Sequence, residues 1–324
     1  QTLRGICTPQ TSPRVTLTPN SIDQLREQLP KAKVVEAMDL AAIGDLIEHV
    51  PEDMTATAQA GMTLGDFQTQ LTQQNQWLPV DPPYPADRSI GALLAGNASG
   101  PRRFGFGTVR DWLIGIAVVL PDGRLVRNGG KVVKNVAGFD LCKLFIGSRG
   151  TLGVIVEATF KLLPRPEAEV FLKKECTSFD DAEQSLEQLW ESDLQPHVLD
   201  LHRLNGQPVN FVVGFAGARA DVESQAKAAR KLGLQSEANL DYDATFRPTA
   251  RVTESVAPAD TINHLRSMTD CDFVARAGNG IMYVRHHHPE NLKGGIGVDL
   301  ASVPPALQTR IKNIFDPKGI LSTL

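Results

Sequence analysis

A dense run of small residues between Pro79 and Ile155 organises this chain. It holds Ser89-Ile-Gly-Ala-Leu-Leu-Ala-Gly-Asn-Ala-Ser-Gly100, then Pro-Arg-Arg-Phe-Gly-Phe-Gly107, Arg110-Asp111, Gly129-Gly130 and Gly147-Ser-Arg-Gly-Thr-Leu-Gly153. Glycine at this density lets backbone amides approach a ligand with no Cβ in the way. Successive N–H groups in such loops form concave anion sites. Turns alone account for Gly129-Gly130 and for Pro121-Asp122-Gly123, but not for a segment that is small at every position from Ala95 to Gly100. The stretch therefore points to a bulky, phosphate-bearing cofactor.

With 324 residues the chain has room for two compact domains. A net charge of −4 gives no basic surface for nucleic acid. Cys7, Cys142, Cys176 and Cys271 stand too far apart for a Cys-x-x-Cys metal or cluster site and fit a reducing, cytoplasmic compartment. No apolar run is long enough to span a bilayer, so direct membrane insertion is not expected. The chain does not begin with Met, so its first residues are expected to have been trimmed.

Segment by segment, Leu3 to Leu17 reads as irregular, with Thr18-Pro19 opening a helix whose stripe is Ile22, Leu25 and Leu29. Lys33 to Glu36 and Met54 to Gln59 read as strands, Asp39 to Ile47 as a loop or short turn of helix. Thr63 caps a helix to about Gln74, and Gln76 to Pro83 is extended. Ser89 to Leu94 is a short helix whose N-terminus favours negative charge. Trp112 to Leu120 turns back into Arg124–Arg127 as a hairpin, Gly138 to Phe145 is helical, and Gly153 to Leu163 is the longest strand. Pro164 and Pro166 close this part. Beyond them, a β-α-β-β-α order from Val170 to Leu232, a strand Arg251–Val256, a helix Pro258–Met268 and a hairpin Phe273–Arg285 describe an antiparallel sheet covered by helices. Pro304 to Ile314 is a last amphipathic helix before Phe315-Asp-Pro-Lys-Gly-Ile-Leu321.

Ser89 to Arg103, Arg110-Asp111, Gly130-Lys-Val-Val-Lys-Asn-Val-Ala-Gly-Phe-Asp140 and Gly147 to Ile155 together resemble the FAD-linked oxidases of the vanillyl-alcohol oxidase superfamily, with a PCMH-type FAD-binding domain. Within it the likeness is greatest to the E subunits of bacterial glycolate oxidases, and the Phe315–Leu321 ending is similar to a C-terminal signature of the family. The resemblance implies an α+β fold: a two-part FAD domain over 1–166, an antiparallel-sheet cap over 167–300 with helices on one face, and a tail, 301–324, returning to the FAD domain. It implies FAD contacts from Asp81, Pro82, Ser89, Ile90, Gly91, Ala95, Asn97, Ser99, Gly100, Arg110, Asp111, Gly153, Val154 and Ile155. It implies oxidation of a 2-hydroxy acid, glycolate or D-lactate, with hydride passed to flavin. A second flavin subunit and an iron–sulfur subunit are the implied partners, with the complex either free in the cytoplasm or at the inner face of the membrane through those partners.

One feature of the family is missing. Its members carry a Pro-x-Gly-Gly-Gly-Thr-like pyrophosphate turn after the first helix and strand, yet no glycine stands between Gly5 and Gly44 here. Losing three charge-assisted hydrogen bonds costs roughly 4–9 kcal/mol of cofactor binding if nothing replaces them. Two outcomes stay open. Either helix Ser89–Leu94 and the Ala95–Gly100 loop, with Arg102 or Arg103, hold FAD alone, or FAD is lost and the chain survives as a structural subunit. The first domain contains only His49, so covalent attachment of flavin is not expected.

For catalysis the protein must supply a base and a carboxylate clamp. Arg102, Arg103, Arg247 and Arg251 are the candidates for the clamp, though a surface role is the better reading of any one of them; Lys131 and Lys134 lie near the flavin-side loops, where solvation or packing explains them equally well. His286-His287-His288 alternate in direction along a strand and do not converge on a metal. The stretch Ala277 to Tyr283 lacks the acid and histidine of the catalytic Gly-Asp-Gly-Asn-x-His-like motif and reads as a hairpin turn. No catalytic residue is assigned. That favours an accessory subunit over a stand-alone FAD-dependent 2-hydroxy acid dehydrogenase.

Overall fold

The computed structural model describes residues 14–130, 141–287 and 304–322. The chain begins with a β-α-β unit. Strands Arg14–Leu17 and Val34–Met38 pair in parallel around helix Ile22–Gln28. The expectation of an irregular segment to Leu17 is corrected here, because strand Val34–Met38 supplies a partner that no local signal announces. The helix cap also moves. Ser21, not Thr18, is extended at the N-cap and its side chain accepts from the Gln24 N–H.

A five-stranded antiparallel sheet follows, in the order Leu46–Val50, Thr55–Gln59, Val154–Lys161, Leu113–Val119, Leu125–Gly129. Its first strand lies partly where a loop was expected. One face, through Ala117, Val119, Val154 and Val156, packs on Leu25, Leu29 and Val35 of the β-α-β unit. The other, through Ile116, Val118, Ile155 and Phe160, packs on the helices Leu64–Thr72 and Ile90–Gly96. Val156 is an extra residue in the ladder. The register passes from Ala117 opposite Glu157 to Val118 opposite Ile155, and the Val156 carbonyl accepts from Ala60. Such a bulge bends its strand, here directly beside Gly153–Ile155.

The second half is a seven-stranded antiparallel sheet ordered Ser236–Glu237, Ala168–Cys176, Val209–Gly217, Val198–Arg203, Cys271–Arg276, Ile281–His286, Val252–Ser255. Leu199, Leu201, Phe211, Val213, Phe273 and Ala275 alternate onto one face and meet helices Phe179–Trp190, Arg219–Lys231 and Thr261–Ser267. The intervening residues Asp200, His202, Val274 and Arg276 face the other way, as period-two alternation requires, and meet the short helix Asp241–Phe246.

The two halves meet along residues 99–106. Phe106 stacks on His197 at 4.5 Å, and the Gly105 N–H donates to the His197 carbonyl at 3.0 Å. A Cβ on Gly105 would come within 2.6 Å of the His197 Cα, so only glycine lets the backbones approach. Helix Pro305–Phe315 then returns to the first half through Ile311 and Phe315. Beyond it, Leu321 bridges to Val35.

Candidate functional site

A cleft of about 480 Å³ opens where the β-α-β unit, the five-stranded sheet and the chain's tail meet. Six of the residues expected to touch FAD line it: Ser89, Gly91, Ala95, Gly153, Val154 and Ile155. Ser89 is the N-cap of helix Ile90–Gly96, its hydroxyl accepting from the Ala92 N–H at 3.2 Å. The Ile90 and Gly91 amides are already taken by the Met62 and Ala60 carbonyls. Asn97 ends the helix in the left-handed region, at φ 46°. The loop Gly147–Arg149 runs along that end, with the Gly147 and Arg149 N–H groups donating to Leu94 and Ala95. Asn97 Oδ1 and Ser148 Oγ are buried there without a hydrogen-bond partner.

Asp81, Pro82, Ser99 and Gly100 form a second group, under the cap. A Cβ on Gly100 would run into the Asp81 carbonyl. Asp81 Oδ2 accepts from the Arg102 backbone N–H at 3.0 Å and sits 3.4 Å from its guanidinium. Burial pushes the Asp81 carboxyl up to about 7, against the opposing pull of Arg102. Three expected residues stand apart. Ile90 is wholly buried in the core. Asp111 closes a capping box with Thr108, and Arg110 donates to the Lys143 carbonyl.

The clamp candidates separate in the same way. Arg102 is committed to Glu169 of the cap, at 2.6 and 2.8 Å, and to Asp81. Arg103 reaches Ser99 Oγ at 3.4 Å, and Arg251 is exposed. Arg247 donates to the Ser99 carbonyl at 3.1 Å and lies 3.5 Å over the Tyr283 ring. His286 and His287 stand at a strand end, where His287 pairs with Asp270 and Asp272. His288, Lys131, Lys134 and the start of the helix expected at Gly138 lie outside the described residues. No group of metal-binding side chains occurs among the described residues.

No local pattern announces what lies beside Arg247. On the cap's inner face Asp200 and Arg276 are cross-strand partners, in register on neighbouring strands. Arg276 pairs with Asp200 through one nitrogen and with Asp243 through another, all three almost fully buried. Tyr242 Oη donates to Asp200 at 2.5 Å and its ring stacks on His202. Burial pushes the Asp200 carboxyl up to about 6. Burial works to lower the Arg276 pKa, but Asp200 and Asp243 more than offset it and hold the group above the ordinary arginine range. A charged residue inside an apolar strand gives this arrangement away only if its face is known to be covered.

The residues present fit FAD unevenly. The small-residue walls, Gly91, Ala92, Ala95, Gly150 and Gly153, leave room for a planar ring system to lie close to the backbone. The phosphates fare worse. Strand Val34–Met38 runs straight into the turn at Leu40, whose carbonyl lies against Gly61, and no glycine precedes Gly44 among the described residues. Among the described residues, Glu36, Asp39 and Asp87 line the cleft against one guanidinium, Arg149.

Residues 15–129 match the family model for an FAD binding domain. Among curated proteins, the chain is 31% identical over 214 residues to the glycolate oxidase subunit GlcD of Bacillus subtilis, covering 66% of this chain and 43% of that one. It is 35% identical over 162 residues to the glycolate oxidase subunit GlcE of Escherichia coli, covering 50% and 45%. A D-lactate dehydrogenase of Anaerostipes hadrus is 31% identical over 163 residues, covering 50% and 34%. The matched part thus spans less than half the length of these relatives. Among solved structures, alkyldihydroxyacetonephosphate synthase shares the fold, with a TM-score of 0.68 at 16% identity over 94% of this chain and 76% of that one.

Proposed function

We propose that this chain, which belongs to the FAD-linked oxidases with a PCMH-type FAD-binding domain, is the accessory FAD subunit of a glycolate oxidase-like complex. Its partners are then a second flavin subunit and an iron–sulfur subunit, and the complex oxidises a 2-hydroxy acid such as glycolate or D-lactate. Similarity to two glycolate oxidase subunits supports the assignment. The observation that carries it is the cleft, where six of the expected FAD contacts converge. Bound noncovalently, FAD would supply the hydride acceptor. The chain's own contribution is to seat it. Ser89 fixes the start of the helix at the cleft, Asn97 offers an acceptor, and the bulged strand at Val156 presents Gly153–Ile155. Among the described residues, no histidine lines the cleft to serve as a base.

The test is an FAD titration of the purified chain, read by visible absorption after desalting. Retained flavin bands that are released on denaturation are the expected result. Asn97→Gly keeps the left-handed turn and removes the oxygen, so it should weaken FAD about five- to tenfold with little loss of stability, the worth of one hydrogen bond. Asn97→Ala should in addition lose about 1 kcal/mol of stability, because alanine resists φ 46°. The three cleft carboxylates favour a second reading, a flavin-free structural subunit. A chain that stays colourless after FAD yet co-purifies with a flavin-bearing partner selects that reading.

A further inference from the structure

The inner face of the cap raises a question that the cleft does not. It carries two guanidiniums, Arg276 and Arg247, beside the Ser99 carbonyl. Paired guanidiniums against an apolar sheet are the chemistry that binds a small carboxylate in two-pronged fashion. Here that capacity is used up internally. Asp200 takes one nitrogen of Arg276, Asp243 takes another, and Asp243 lies 3.8 Å from Arg247. We propose that Asp243 occupies the place of an acidic ligand, so that this face of the cap is a carboxylate-binding site plugged by the chain's own side chain.

Several features hold the plug. Asp243 rides on helix Asp241–Phe246, which is pinned on both sides. Tyr242 stacks on His202 at 4.3 Å and bonds Asp200, and Phe246 is buried with Val274 and Tyr283. A carboxylate tethered in this way competes at an effective concentration far above that of a metabolite in solution. Displacing it would also leave a buried carboxylate without its partner, a change that is strongly destabilising. The remaining open acceptor on this face, Asp200 Oδ1, repels an incoming anion. Four charges thus neutralise one another: two arginines and two aspartates. The inference depends on the proposed function only in taking this face as the side turned toward flavin. It goes further by closing the chain to 2-hydroxy acids and leaving their turnover to a partner.

The experiment is thermal unfolding of the full chain at neutral pH with and without millimolar oxalate or glycolate, with FAD content read on the same samples. The wild type should show no shift with either anion. Asp243→Ala vacates the place and removes the charge. It should melt lower, and oxalate should then raise its midpoint by a few degrees, as a ligand bound only to the folded state does. Should that variant fail to fold, Asp243→Ser, which vacates the same place and leaves a hydroxyl toward Arg276, is read in the same way. A wild type stabilised by oxalate, with the effect removed in Arg276→Lys, overturns the plug. So does a folded Asp243→Ala or Asp243→Ser chain that oxalate leaves unchanged. FAD bound in the first of these cases leaves the flavin reading standing. A colourless wild type that ignores oxalate, with an oxalate-responsive Asp243→Ala, leaves the plug standing and removes the flavin reading.

Discussion

Asp81 shows how one side chain ties the flavin-side loops to the cap. Its side chain is 14% exposed, its carbonyl abuts Gly100, and its carboxylate meets Arg102. Because burial raises its folded pKa from 3.8 to about 7, the folded state binds the proton more tightly than the unfolded chain does. The stability it contributes is therefore complete below about pH 4 and is lost as pH rises through 7. Asp81→Asn removes that dependence. Against the wild type, the variant should gain on the order of 2 kcal/mol between pH 4 and pH 8, read as the difference between two denaturant-unfolding series. A constant difference across that range would show that Asp81 is ionised throughout. Asp81 was legible in the sequence as a cofactor-loop residue, but its burial against Arg102 was not, since the two are brought together only by the turn through Gly100.

At the scale of elements, the tail is the best example of a motif with a mechanical role. Asp316 is 2% exposed and accepts from the Ile320 and Leu321 N–H groups at 2.9 and 2.8 Å. It also pairs with Lys312, whose ammonium reaches the Thr151 and Leu321 carbonyls. The Phe315-to-Leu321 ending is thus a knot that ties the last helix to the loop before Gly153 and lays Leu321 beside Val35. Asp316→Ala strands a half-buried lysine and two amides, and should cost roughly 3 kcal/mol in chemical denaturation. Faster hydrogen exchange at Val35 and Leu321 should accompany it. Exchange unchanged at those amides would mean that the tail is held by Ile320 and Leu321 packing alone. Helix starts at Thr63, Ser89 and Ser178 were readable because each cap is a local hydroxyl followed by an apolar stripe. Strand Arg14–Leu17 was not readable, because its hydrogen bonds go to residues about twenty positions away.

In the whole molecule, the joint between FAD domain and cap rests on few polar contacts. Arg102 is the main one, bonded to Glu169 and Asp81 and set between Trp77 and Phe171 at 5.8 and 5.5 Å. Arg102→Ala should lose about 2 kcal/mol and make the link around Pro164–Pro166 more sensitive to limited proteolysis. An unchanged cleavage rate would show that the Phe106–His197 stack and Gly105–His197 hydrogen bond hold the joint unaided. By itself the sequence determined the α+β class, the caps, the antiparallel cap sheet and the small-residue stretch, because each depends on neighbours in the chain or on alternation along one strand. The absence of glycine between Gly5 and Gly44 is also plain in it. Only the tertiary structure decided which of the expected contacts share a cleft, that Ile90 is buried and Asp111 caps a helix, and that Asp200, Asp243 and Arg276 meet. Residues 43 and 76 positions from Asp200 are joined to it by sheet order and by a helix folded over one face, and no local pattern encodes which face will be covered.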